Sequence, residues 1–272
     1  MILADQSRTD RAKPRSAAIM ALAVTIGAFE FGFGLPVEDG GQVMNANKSI
    51  KAGSGVALAA CITFAAAAQP VGRMEMAETV NFDNASVGSA PEGWILTMTG
   101  RGDPRWTVER DDTAPSKANV LKQSGNATYP LALKKGANIK DGFVAVKFKA
   151  ISGSEDRAAG LVWRAADANN YYVVRANALE DNVVLYKTVN GVRSPLDIVG
   201  RSGGYGADVP VLAGQWHTLR ADFAGTRFSV TYNGKALFEV DDATFKEAGN
   251  IGLWTKADSV TVFDDLRYGE TR

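Results

Sequence analysis

Between Gly160 and Lys187 the chain reads GLVWRAADANNYYVVRANALEDNVVLYK, three apolar runs of strand length joined by polar turns. β-Branched and aromatic residues alternate there with Arg164, Arg175 and Asn177, a period of two that a helix cannot satisfy. The same rhythm fills the rest of the C-terminal two thirds, with Gly, Asn, Asp or Pro interrupting it about every ten residues. Phe143 to Ala150 sets Val144, Val146 and Phe148 against Ala145, Lys147 and Lys149, which predicts one buried and one wet face. Arg227 to Val240 reads as a hairpin around Asn233-Gly234, the strongest short turn signal. Faces of this kind need a second layer to cover them, so the expected fold is all-β, an antiparallel two-sheet sandwich.

The first 68 residues do not share this rhythm. Gly55 to Ala68 is an apolar run preceded by Lys48 and Lys51 and closed by small residues, the order of a secretory signal, and at 14 residues it is short for a membrane span. A second apolar run, Ala17 to Phe29, lies upstream, where a membrane anchor is the alternative reading. Translation from Met44 gives a simpler organisation: 1–43 an upstream extension of mis-assigned start, 44–68 the signal peptide, 69–76 a linker and 77–272 the sandwich. A periplasmic or secreted bacterial protein is the expected product. The single cysteine, Cys61, falls inside the signal, so the exported part folds without a disulfide. Of 30 basic and 30 acidic residues, 6 and 5 precede Gln69, leaving 24 against 25. So even a balance argues against nucleic acid and anionic membrane as partners, and no stable membrane insertion is expected once the signal is gone.

From Phe82-Asp83 to Phe263-Asp264-Asp265-Leu266 the sequence resembles the concanavalin A-like lectin/glucanase superfamily. Gly160-Leu161-Val162-Trp163-Arg164, Asn170-Tyr171-Tyr172-Val173-Val174-Arg175, Trp216-His217-Thr218-Leu219-Arg220 and Gly252-Leu253-Trp254 are similar to segments of laminin G-like domains and of bacterial 3-keto-disaccharide hydrolase-type domains. The resemblance implies a jelly-roll sandwich whose concave sheet carries a polar groove.

Pairing the strand that ends at Arg164 with the one that begins at Tyr171 puts Leu161, Trp163, Tyr172, Val174 and Ala176 on the core face. It puts Val162, Arg164, Tyr171, Val173, Arg175 and Asn177 on the other. The second set, long donors above small aliphatic side chains, suits a shallow sugar groove, since hydroxyls pair with Arg and Asn while sugar C–H faces stack on rings. Ile251 and Leu253 should point inward, Trp254 and Lys256 outward, with Trp254 the stacking platform. The expected ligand site is therefore Arg164, Tyr171, Arg175, Asn177, Trp254 and Lys256, for a carbohydrate or glycoside. The competing reading is that Arg164 and Arg175 only pair with acids such as Glu180 or Asp181. Trp216 is expected in the core, while Trp94 and Trp106 fit a groove edge or a sandwich end equally well.

Catalysis is harder to place. Glycosidases need two converging carboxyl groups, and the Glu-x-Asp-x-x-Glu strand of the laminarinase branch is absent. The resemblance to 3-keto-disaccharide hydrolase domains implies a glycoside hydrolase as the alternative, with Glu180, Asp181 or Asp258 as acid or base. A cell-envelope protein-interaction domain is a further alternative. His217, the one histidine, reads as an ordinary strand residue, and no zinc or thiol chemistry is expected in the mature chain. No cofactor or metal is predicted, although Asp83, Asp264 and Asp265 offer the oxygen ligands that calcium would want.

Overall fold

The computed structural model describes residues 76–271, Ser202 and Gly204 excepted. The expected upstream extension, signal peptide and nearly all of the linker lie outside the described residues. The strands are β1 (Met76–Val80), β2 (Trp94–Asp103), β3 (Trp106–Arg110), β4 (Asn119–Gln123), β5 (Asn126–Ile139), β6 (Gly142–Ser152), β7 (Ala158–Asp167) and β8 (Asn170–Asn177). They continue with β9 (Asn182–Val189), β10 (Val192–Pro195), β11 (Ala207–Asp208), β12 (His217–Ala224), β13 (Arg227–Tyr232), β14 (Lys235–Asp241), β15 (Gly249–Trp254) and β16 (Val260–Glu270).

Two antiparallel sheets result. One runs β14-β13-β12-β6-β16-β4-β3 with β1 beside β16, and the other β10-β9-β8-β7-β15-β5-β2 with β11 beside β9. None of the described residues is helical, and no helix among them is long and apolar enough to cross a membrane. The main core lies between the sheets and takes Leu161, Trp163, Tyr172, Val174, Ala176, Ile251 and Leu253 from the second sheet against Val144, Val146, Phe148, Leu219, Phe223 and Phe228 from the first. Trp163 pairs with Tyr172 and Leu161 with Val174 in register, as the alternation requires. The β13–β14 hairpin turns on Asn233 (φ 48°) and Gly234 (φ 76°), both left-handed, the turn whose twist matches its strands.

Trp94 and Trp106 belong to this core. Trp216 does not: it precedes β12, whose inward residues are the odd-numbered His217, Leu219, Ala221 and Phe223. Parity therefore turns Trp216 outward, where its Nε1 donates to Thr113 Oγ1 at 3.1 Å and Lys149 lies 5.0 Å over its ring. His217 instead points in, stacked on Tyr232, with Nε2 hydrogen-bonded to Leu212 O and Nδ1 to Asn233 Nδ2.

Candidate functional site

The outer face of the second sheet does not lie open. Thr99 on β2 hydrogen-bonds the Tyr171 hydroxyl on β8 at 2.7 Å and donates to Ala168 O. Those strands stand four places apart in the sheet, about 19 Å if it were flat, so the sheet curls until one edge meets the far strands. Inside the curl lies a second apolar cluster: Leu131, Leu133, Val162, Tyr171, Val173, Val184, Tyr186 and Trp254, flanked by Tyr129 and Tyr205. β-Branched and aromatic residues on both faces of β7, β8 and β9 let the sheet be buried on both sides.

At the end of the curl away from Thr99, charged groups converge. Arg175, 1 % exposed, donates from Nη1 to Asn182 Oδ1 (2.6 Å) and from Nη2 to Glu180 Oε2 (2.7 Å) and the hydroxyls of Tyr186 and Tyr205 (both 3.1 Å). The two tyrosine hydroxyls also contact each other. Burial alone would lower the Arg175 pKa, but Tyr186 and Glu180 outweigh it and hold the guanidinium charged. Asn177 Nδ2 donates to Asp156 Oδ1 (2.9 Å) and to Glu180 Oε1 (3.0 Å), which places these two carboxyl oxygens within about 6 Å of each other. Lys256 completes the set at 2.9 Å from Asp156 Oδ2. Burial pushes the Asp156 carboxyl above its ordinary range, against the pull of the Lys256 ammonium.

Asp258 builds the turn that presents Asp156. Its carboxylate accepts the backbone N–H groups of Ser154 (2.7 Å), Glu155 (3.0 Å) and Asp156 (2.9 Å). Burial raises its pKa, but these bonds dominate and bring it down to about 2. A depressed carboxylate pKa contributes stability that is complete above about pH 4 and is lost as pH falls through about 2. Asp258→Asn is expected to remove that contribution at neutral pH and to speed hydrogen exchange at the Ser154, Glu155 and Asp156 amides roughly ten- to hundredfold, since bonds to charged groups are each worth about 1.5–3 kcal/mol. Unchanged exchange there would show that the turn holds itself.

The expected residues are thus only partly together. Arg175, Asn177 and Lys256 join one network; Tyr171 and Trp254 share their face but are fully buried in the apolar cluster, Trp254 stacked on Tyr129 with centroids 5.4 Å apart. Arg164 is not on this face. It adopts φ 46° at a bulge between Trp163 and Asp167, which reverses its direction. Its guanidinium stacks on Phe223 and Phe228 and donates to Lys140 O, Phe245 O and Asp141, plugging one end of the main core.

Asp181 accepts the Val211 N–H and lies outside the network. Asp156, Asn182, Tyr186 and Tyr205 were not singled out from sequence; Asp156 lies in a Ser-Glu-Asp loop that offers no periodicity to place it. The three acids that suggested calcium engage separate partners: Asp83 accepts from Asn119, Asp264 from Ser116 and Asp265 from Lys147. Among the described residues no group of three or more His, Cys, Asp or Glu side chains is arranged to hold a metal.

No protein-family model matches the sequence, and no curated protein matches it. Solved structures do. A carbohydrate binding module, CBM66, from Bacillus subtilis is similar at 19 % identity and TM-score 0.51, over 64 % of this chain and 94 % of that one. Cellulose induced protein, Cip1, is similar at 13 % identity and TM-score 0.54, over 72 % of this chain and 98 % of that one. At such identities the likeness speaks for the fold alone, which is an antiparallel two-sheet jelly-roll sandwich.

Proposed function

We propose that this is an exported bacterial domain that binds a glycan or glycoside at the charged end of its curled sheet. The observation that carries the reading is the network of Arg175, Asn177, Glu180, Asp156 and Lys256 beside the part-exposed rings of Tyr129 and Tyr205. Paired charges hold donors and acceptors in fixed directions, and neighbouring rings supply the apolar face that a pyranose stacks on. The near-zero charge of the domain favours a neutral polar ligand over nucleic acid. Export rests on the signal-like segment of the sequence, and one of the two similar structures quoted above is a carbohydrate binding module.

One observation favours glycoside hydrolysis as a second reading: Asp156 and Glu180 share the Asn177 amide as a donor, so that two carboxyl groups converge as such chemistry requires, and the Asp156 pKa is raised. Binding is nonetheless preferred. Both Asp156 oxygens accept from donors, Asn177 and Lys256, which suits a fixed carboxylate rather than an acid that delivers a proton. Asp258, ionised down to about pH 2, cannot serve as that acid at neutral pH.

Titrating the full chain calorimetrically with a panel of oligosaccharides and oxidised glucosides, with product analysis of each mixture, tests both. The expected result is saturable heat without products, weakened about tenfold by Lys256→Met, as for loss of one charge-assisted hydrogen bond. Released monosaccharide that disappears in Glu180→Gln would establish the hydrolase instead. Silence across the panel would refute a carbohydrate site.

A further inference from the structure

We infer that β2 is an interface strand: two copies of this chain pair along it, antiparallel about a twofold axis, and join their curled sheets into one. A strand at the end of a sheet presents unpaired N–H and C=O groups, and folds protect such edges by covering them, shortening them or placing charge on them. This chain does so at its other edges. Gly88 and Ser89 bond both backbone groups of Val108 on β3, at 2.8 Å each. The Val199 N–H donates to Glu239 O on β14 at 2.9 Å. β10 is four residues long and ends in Pro195, β11 is two residues long, and β1 carries Glu78 at its middle.

β2 has none of these devices. It is ten residues long and ends the second sheet, with β5 as its partner strand. Ile95, Thr97 and Thr99 stand opposite Leu133, Leu131 and Tyr129 of β5. Pro130 O is taken from the far side by the Thr255 N–H at 3.1 Å, so the odd-numbered residues of β5 are the ones that bond β2. Trp94, Leu96 and Met98 therefore turn their N–H and C=O groups outward. No backbone group among the described residues meets them there. Trp94 to Gly100 holds no charge and no proline, and Ile95 and Leu96 are exposed, at 42 % and 36 %.

A second copy fits this edge. A twofold at Leu96 sets Leu96 of one copy against Leu96 of the other, and Trp94 against Met98, each pair exchanging two backbone bonds. Ile95 then lies beside Thr97 on the face that carries Thr99. The same arrangement brings the Glu92 end of each strand to the Arg101 end of the other, unlike charges at both ends of an uncharged stretch. Past Thr99 a bulge at Gly100 (φ 80°) stops the pairing. The near-zero charge of the domain leaves little repulsion between copies. A dimer carries two charged ends and, where the carbohydrate reading holds, grips a repeating glycan twice without any new contact.

Sedimentation equilibrium of the full chain between about 1 and 100 µM tests the pairing. The expected result is a reversible dimer that Leu96→Lys weakens at least about tenfold, because like charges then meet at the twofold. Leu96→Pro should do the same, since it removes an N–H that only the second copy uses, whereas Leu96→Thr keeps that N–H and a strand former and should leave the dimer in place. Thermal melts check that each variant folds. Hydrogen exchange reads the register: the Leu96 and Met98 amides should slow about tenfold or more as concentration rises, with Ile95 and Thr97 slow throughout. A monomer across the range would overturn the inference, whether the edge is then closed by residues before Met76 or kept for another protein. So would a dimer that Leu96→Lys and Leu96→Pro leave unchanged, since the copies then meet elsewhere. Either result leaves the carbohydrate reading standing, because Leu96 is no part of the ligand network.

Discussion

Trp163→Ala is expected to lower the melting temperature by about 10 °C or more, while Trp216→Ala lowers it by a few degrees at most. Trp163 is fully buried and meets three rings: Tyr172 at 5.6 Å and 25°, Phe223 at 5.7 Å and 14°, and Phe228 edge-on at 5.5 Å. Two of these rings belong to the opposite sheet, so the indole is a joint between the layers. Removing it costs the transfer of a large apolar surface plus a cavity that two rigid sheets cannot close, about 3–5 kcal/mol. The Arg164 guanidinium stacks on Phe223 and Phe228 and loses its footing when those rings shift. Trp216 lies half-exposed on the outer face with one hydrogen bond and one lysine contact, worth about 1 kcal/mol together. Equal losses in the two variants, read by differential scanning calorimetry, would mean that the layer between the sheets is not where these contacts put it.

The contrast shows what the sequence makes legible. Alternation placed Trp163, Tyr172, Leu253 and Ile251 inside because a strand obeys a period of two wherever it is regular, and the Asn233-Gly234 turn carried its own conformational signature. It failed at Arg164, where one left-handed residue resets the parity, and no residue type near it announces a bulge. Trp216 was placed in the core through the family resemblance, although its parity relative to Leu219 and Phe223 already pointed outward. At the site, parity rightly put Tyr171, Arg175, Asn177 and Trp254 on one face. What it could not supply was the curl. Whether Thr99 reaches Tyr171, or Arg193 reaches Tyr129, depends on the accumulated twist of a whole sheet, to which every strand contributes a little and none decisively. The same holds for Asp156, which enters the site because Asp258 pins its turn from about a hundred residues away in sequence.

Arg175→Met is expected to be the most damaging change at the site, costing about 3–5 kcal/mol of stability and abolishing measurable ligand binding. The methionine keeps the apolar stem against the cluster but leaves Glu180 Oε2, Asn182 Oδ1 and two tyrosine hydroxyls without their common donor. Removing one member of a buried pair strands the other, a larger penalty than the pair's own net worth. Arg175→Lys should recover only part of the loss, because an ammonium cannot fork toward Asn182 and Glu180 while also reaching both tyrosines. Adding Glu180→Gln to Arg175→Met should restore some stability, since it removes the stranded charge, but not binding, since the donors remain absent. Urea unfolding of the single and double variants, with titration of each, separates the two effects. The network adds side-chain bonds to the backbone pairing of β8 with β9 and ties them to the Asp156 turn and to Lys256 just after β15, so its strength is also the rigidity of the site. If Arg175→Met unfolds at the wild-type urea concentration and still binds, the charged end of the curl is ornament to a ligand site elsewhere; if stability and binding fall together and Glu180→Gln rescues only the first, the network both holds the sheet ends together and recognises the ligand.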